Sequence, residues 1–159
     1  MKTTVYSDPK VKTPIRKNHK VRVLLVPLLL ALLAVKVQAA VLSYYVILNG
    51  PSESPANTSP GTGTAEVDYN NTAHTLFIGL SFSGLTGTTT ASHIHAPTAS
   101  PFTGTAGVAT TTPTFAGFPL GVTSGTYTNT LDLTLSSSWN PSYVTANGGT
   151  TAGAESALA

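Results

Sequence analysis

His93 and His95 stand two residues apart in the run Ala91-Ser92-His93-Ile94-His95-Ala96-Pro97. In an extended chain successive side chains point to opposite faces. Both imidazoles therefore leave one face, about 6.6 Å apart at the Cα level, and Ile94 leaves the other. Two imidazoles at that spacing can meet one ion, and imidazole suits copper, zinc or nickel. A complete structural or catalytic site needs three or four ligands. His74 sits alone in a different turn and reads as surface, while Glu66 and Asp68 face outward from a neighbouring run. The competing reading is plainer: the two rings hydrogen-bond loop backbone and shape the turn at Ala96-Pro97, with Ile94 in the core.

The rest of the chemical inventory is thin. The chain has no cysteine, so thiolate metal sites, a Cys nucleophile and disulfides are all excluded. From Ala40 onward there is no Lys, no Gly-x-Ser-x-Gly elbow and no glycine loop opening a helix. Glu66 and Asp68 are the only acids close in sequence, and they read as solvated. No catalytic and no cofactor-binding residue is assigned. The expectation is a non-enzyme, with a metal-dependent redox enzyme built on His93 and His95 as the alternative. Copper or zinc at that pair is the only cofactor considered. Trp139 and Tyr143 flank Asn140-Pro141 and read as a core edge or loop anchor rather than a sugar-stacking pair. Asn57-Thr58-Ser59 and Asn70-Asn71-Thr72 match the glycosylation acceptor pattern.

Charge divides the chain. All eight basic residues lie at or before Lys36, and five of the six acids lie after it: Glu53, Glu66, Asp68, Asp132 and Glu155. Residues 40–159 thus carry a formal charge of −5 with His neutral, and the pI near 9.0 belongs to the leader. Nucleic-acid binding requires cations to displace phosphate counterions, so it is excluded. A basic patch for an anionic membrane surface is excluded likewise.

Residues 1–22 are polar and basic, Val23 to Val35 is an apolar run of thirteen, and Val37-Gln38-Ala39 is a small-residue cleavage pattern. These are the three parts of a signal peptide. The division expected is 1–39 signal peptide and 40–159 one β domain. The alternative is an uncleaved anchor over residues 23–48, since a span needs about 20 apolar residues. Either way the protein is exported, to an extracellular or periplasmic place, with the membrane touched only through that segment. Its expected partner is an extracellular protein or surface ligand.

What must position the histidines is a set of period-2 runs separated by turn residues. Ser43–Leu48, Thr62–Tyr69, Thr75–Phe82, Thr88–Ala96, Gly107–Thr112 and Thr126–Leu135 read as strands. The inward set is Ala65, Val67, Tyr69, Leu76, Ile78, Leu80, Phe82, Leu131, Leu133 and Leu135. Asn70-Asn71 closes a hairpin. Trp139-Asn140-Pro141 reads as a turn, and Ala152–Ala159 as the start of a short helix capped by Thr150 or Thr151. The fold class is all-β: an antiparallel Greek-key or immunoglobulin-like sandwich or barrel, with a signal helix at the N-terminus.

Four segments in order resemble a known family. They are Gly61-Thr62-Gly63-Thr64-Ala65, Leu80-Ser81-Phe82-Ser83-Gly84-Leu85, Ala91 to Pro97, and Gly121-Val122-Thr123-Ser124-Gly125-Thr126-Tyr127. Together they resemble the chordin-type, or CHRD, domain over about residues 44–159. The resemblance implies a secreted binding or structural module. The family usually closes with a Tyr-x-Asn-x-His-Thr segment and a Gly-Glu-Ile-Arg-Gly strand, which this chain lacks. That leads to the expectation of a fragment, with a further His and an Arg beyond Ala159. The growth-factor role of the multidomain animal protein is not carried over.

Overall fold

Four segments of alternating pattern pair into one antiparallel sheet in the order β1-β2-β3-β4. They are β1 (Val41–Asn49), β2 (Thr62–Asn70), β3 (Thr75–Ser83) and β4 (Gly125–Asp132). The structure, a computed structural model, describes residues 40–101 and 103–159. The expected signal peptide lies outside the described residues. Of the alternative anchor over 23–48, residues 41–48 lie in β1 and residues 23–39 again lie outside the described residues. No described helix is long and apolar enough to cross a membrane.

The register explains the alternation. Tyr44 pairs with Val67, Val67 with Ile78, and Leu76 with Leu131, so these side chains share one face. A strand's side chains alternate strictly, so that face is the one that must be covered. Leu76, Ile78, Tyr127 and Leu131 pack there against Phe115, Phe118, Leu133, Trp139 and Ala154. Each such large side chain, fully buried, contributes about 1.5–3 kcal/mol. Glu66, Asp68 and Asp132 lie on the other face, as expected.

The β2–β3 hairpin turns through Asn71 to His74. The Asn70 Oδ1 accepts the N–H groups of Thr72 and Ala73 at 3.0 and 2.9 Å, satisfying donors the turn would otherwise expose. His74 closes the turn at φ 54°, a left-handed conformation that histidine adopts more readily than most side chains.

The all-β class holds. Within it the strands run as a meander, and the layer facing them is largely irregular. The runs read as strands at Thr88–Ala96 and Gly107–Thr112 reduce to isolated bridges: Ser92 to Thr114, His95 to Val108 and Thr110 to Trp139. Prolines bound both runs, Pro97 just after the first and Pro113 just after the second, and limit how far a ladder can extend. Pro97, Pro101, Pro113 and Pro119 have no N–H for a ladder. Side chains take over instead, with the Thr110 Oγ1 accepting the Ile94 N–H at 2.8 Å and the Thr89 hydroxyl donating to the Pro119 carbonyl at 2.7 Å.

Two further differences concern the C-terminal part. β4 ends at Asp132, because its carboxylate accepts both the N–H and the hydroxyl of Thr134 and turns the chain. Leu133 is still fully buried, but Leu135, expected inward, is 51% exposed. The turn expected at Trp139-Pro141 opens a helix, α1 (Pro141–Ala146), with Pro141 in the first turn and the Asn140 side chain capping Ser142 N–H. α2 (Thr151–Leu158) forms where expected, and the Thr150 hydroxyl accepts the Gly153 N–H at 3.0 Å.

Candidate metal centre

The segment carrying His93 and His95 is clamped on both sides. Backbone bonds run from Ala96 N–H to the Gly107 carbonyl (2.8 Å), from Ala109 N–H to the Ile94 carbonyl (2.9 Å) and from Phe115 N–H to the Ser92 carbonyl (2.9 Å). Ile94 packs against the core, as expected for the residue between two outward rings. Its backbone leans on Thr110, which is fully buried. The histidines are thus held in extended chain by the loops at 106–110 and 113–115 rather than by a ladder.

The two rings converge. Their Nε2 atoms are 3.2 Å apart, and the ring centroids 4.9 Å, with the planes tilted by 55°. The Nδ1 of His93 donates to the Pro113 carbonyl at 2.9 Å, and the Nδ1 of His95 to the Ala106 carbonyl at 2.6 Å. A carbonyl can only accept, so each Nδ1 carries the hydrogen, and each neutral ring presents its lone pair at Nε2. Two lone pairs facing one another at 3.2 Å repel unless a cation lies between them. A metal ion held by both rings would relieve that repulsion.

The residues fit a metal. A histidine that ligates through one ring nitrogen usually donates the other N–H to a carbonyl or carboxylate, which fixes tautomer and ring orientation. Both rings here already do so. With Zn–N or Cu–N bonds of about 2.0–2.1 Å, nitrogens 3.2 Å apart subtend roughly 100–106° at a shared ion, close to tetrahedral. His93 is half-buried and His95 exposed, so an ion would enter from solvent. Among the described residues no third His, Cys, Asp or Glu joins them. Glu66 and Asp68 lie on the outward face of β2, which keeps them out of the pair. The hydrogen bonds to loop backbone expected on the plainer reading are present too, and they are the same bonds that aim the lone pairs.

His74 lies at the surface, as its turn suggested, but it is not alone there. Its ring is 51% exposed, but its Nδ1 lies 2.9 Å from Glu155 Oε2. Glu155 is buried midway along α2, and its Oε1 accepts the Tyr69 hydroxyl at 2.9 Å. Burial first, and then that hydrogen bond to a carboxylate, push the Tyr69 hydroxyl up to about 12. These three residues lie more than 80 positions apart at the extremes, so no local pattern could have joined them. The cluster pins α2 to the β2–β3 hairpin.

Trp139 is a core residue, 2% exposed. Its Nε1 donates to the Leu133 carbonyl at 2.9 Å, and its ring stacks on Tyr143 at 6.1 Å. That burial leaves no indole face for a sugar. Burial also raises the Tyr143 hydroxyl above its ordinary value.

The family model of the CHRD domain matches residues 44–155, which include all of the sheet but the first three residues of β1, the histidine pair and most of α2. No curated protein and no solved structure matches the chain.

Proposed function

Since this chain belongs to the CHRD family, we propose that it serves as a secreted, non-enzymatic binding module that holds a copper or zinc ion on His93 and His95. The observation that carries the metal reading is the facing of two Nε2 lone pairs at 3.2 Å, each ring anchored through Nδ1 to a backbone carbonyl. Two protein ligands leave the remaining positions of a four-coordinate ion to water or to a donor from elsewhere. Secretion rests on the charged leader, apolar run and cleavage pattern of residues 1–39. The non-enzymatic reading rests on the thin inventory around the pair, which no third His, Cys, Asp or Glu joins among the described residues.

The test is the metal content of the purified protein after exposure to copper or zinc and removal of the free ion. About one equivalent per chain is expected, and His93→Ala/His95→Ala should remove it while leaving the circular dichroism spectrum intact. A protein that retains no ion under replete conditions, or a double variant that retains as much as the parent, would overturn the reading.

A further inference from the structure

β1 is an edge strand. It pairs with β2 along all nine residues, and its other side has no strand partner among the described residues. Soluble proteins usually protect such an edge with a charge, a proline, a bulge or a short strand. The run VLSYYVILN has none of these. Tyr45 and Ile47, on its outward face, are 76% and 70% exposed.

Both faces beside this edge are prepared for something. On the inward face Tyr44 and Val46 form the rim of a cavity of about 420 Å³, whose other walls include Val67, Ile94 and Leu158. On the outward face Asp68 lies opposite Ser43, and its Oδ1 is buried with no hydrogen-bond partner. Glu66, opposite Tyr45, takes that tyrosine's hydroxyl. A buried carboxylate oxygen without a donor is costly and calls for a cation or an N–H group. Residues 40–159 contain no Lys and no Arg. Histidine aside, residues 40–159 of this chain or of a second copy offer no side-chain cation, so a Lys or Arg there must come from elsewhere.

We propose that the β1 edge accepts an extended segment of a partner polypeptide whose residues alternate between apolar and basic. Its apolar side chains cover the cavity at Tyr44 and Val46. Its Lys or Arg, placed opposite Ser43, reaches across that short side chain to Asp68. The spacing allows this: strands lie about 4.8 Å apart, so the added residue and Asp68 are two spacings, about 9.6 Å, apart at the Cα level. Main-chain bonds to the free edge supply affinity, and the side-chain alternation supplies selectivity, as in other cases of strand addition.

Two nine-residue peptides test this, one alternating Val with Lys and one alternating Val with Gln, each titrated into the protein by calorimetry. Saturable binding of the Lys peptide, at least tenfold tighter than the Gln peptide, is expected, together with hydrogen-exchange protection of the β1 amides. Asp68→Asn should shrink that preference to less than threefold. Ser43→Phe, a substitution at an exposed position that blocks the path to Asp68, should shrink it as well and guards against a folding defect in the first variant. Equal affinity for the two peptides, no saturable binding at millimolar concentration, or a preference unchanged in both variants would overturn the proposal. So would sedimentation showing that the protein without peptide pairs with itself through β1.

Discussion

Replacing Glu155 by Ala should cost this domain more stability than any single surface change, and the structure says how much. Glu155 is 7% exposed and is the one buried acid among the described residues. Its carboxylate holds the Tyr69 hydroxyl at 2.9 Å and the His74 Nδ1 at 2.9 Å. A hydrogen bond to a charged group contributes about 1.5–3 kcal/mol when shielded. The Tyr69 bond is partly buried and belongs at the lower end of that range. His74 is half-exposed, so its pair is screened and contributes about 0.5 kcal/mol. Loss of the side-chain stem against the sheet adds about 0.5–1 kcal/mol. Alanine's better helix propensity returns a few tenths. The net is a loss of about 2–3 kcal/mol. For a domain of this size that lowers the melting temperature by roughly 8–15 °C. Glu155→Gln keeps an acceptor for Tyr69 and should lose about 1 kcal/mol. Urea denaturation of the two variants and of Tyr69→Phe measures all of this. In the double variant Glu155→Ala/Tyr69→Phe the losses should fall short of additivity by about 1 kcal/mol. A Glu155→Ala loss below about 0.5 kcal/mol, or strict additivity with Tyr69→Phe, would refute the reasoning that this cluster pins α2 to the hairpin.

Two further outcomes rest on named contacts. Tyr69 has its folded-state value raised to about 12, above the ordinary value near 10, so its contribution is fully present below pH 10 and is lost as pH rises from about 10 to 12. Denaturation curves at about pH 9, 10.5 and 12 should show that decline, and Tyr69→Phe should flatten it. Trp139→Phe removes the bond to the Leu133 carbonyl and leaves a small void beside Tyr143, so a loss of about 2–3 kcal/mol is expected, read by the same denaturation assay.

The strands of the sheet were legible because their signal is local. Leu76, Ile78, Leu80 and Phe82 alternate with Thr75, Gly79 and Ser81, with Phe77 alone breaking the pattern, and a period of two has one meaning for a half-buried strand. The same rule overran at Leu135, because Asp132 bends the chain with its own carboxylate, and a side chain bonding nearby backbone competes with the ladder. α1 was hidden for a related reason. Asn140-Pro141 is both a turn signal and a helix start, and only the residues after Pro141 decide between them. For the candidate site, the spacing of His93 and His95 placed both rings on one face, but not the direction of their lone pairs. That direction depends on the carbonyls of Ala106 and Pro113, supplied by irregular loops 11 and 20 residues away. Glu155 was invisible altogether, since its partners lie 81 and 86 residues distant.

X-ray absorption at the metal edge of the copper- or zinc-loaded protein tests the central claim most directly. Two imidazole nitrogens at about 2.0–2.1 Å from one ion are expected, with oxygen donors completing the shell. A shell of oxygen alone, or one imidazole per ion, would contradict the account that the lone pairs of His93 and His95 are aimed at a shared metal.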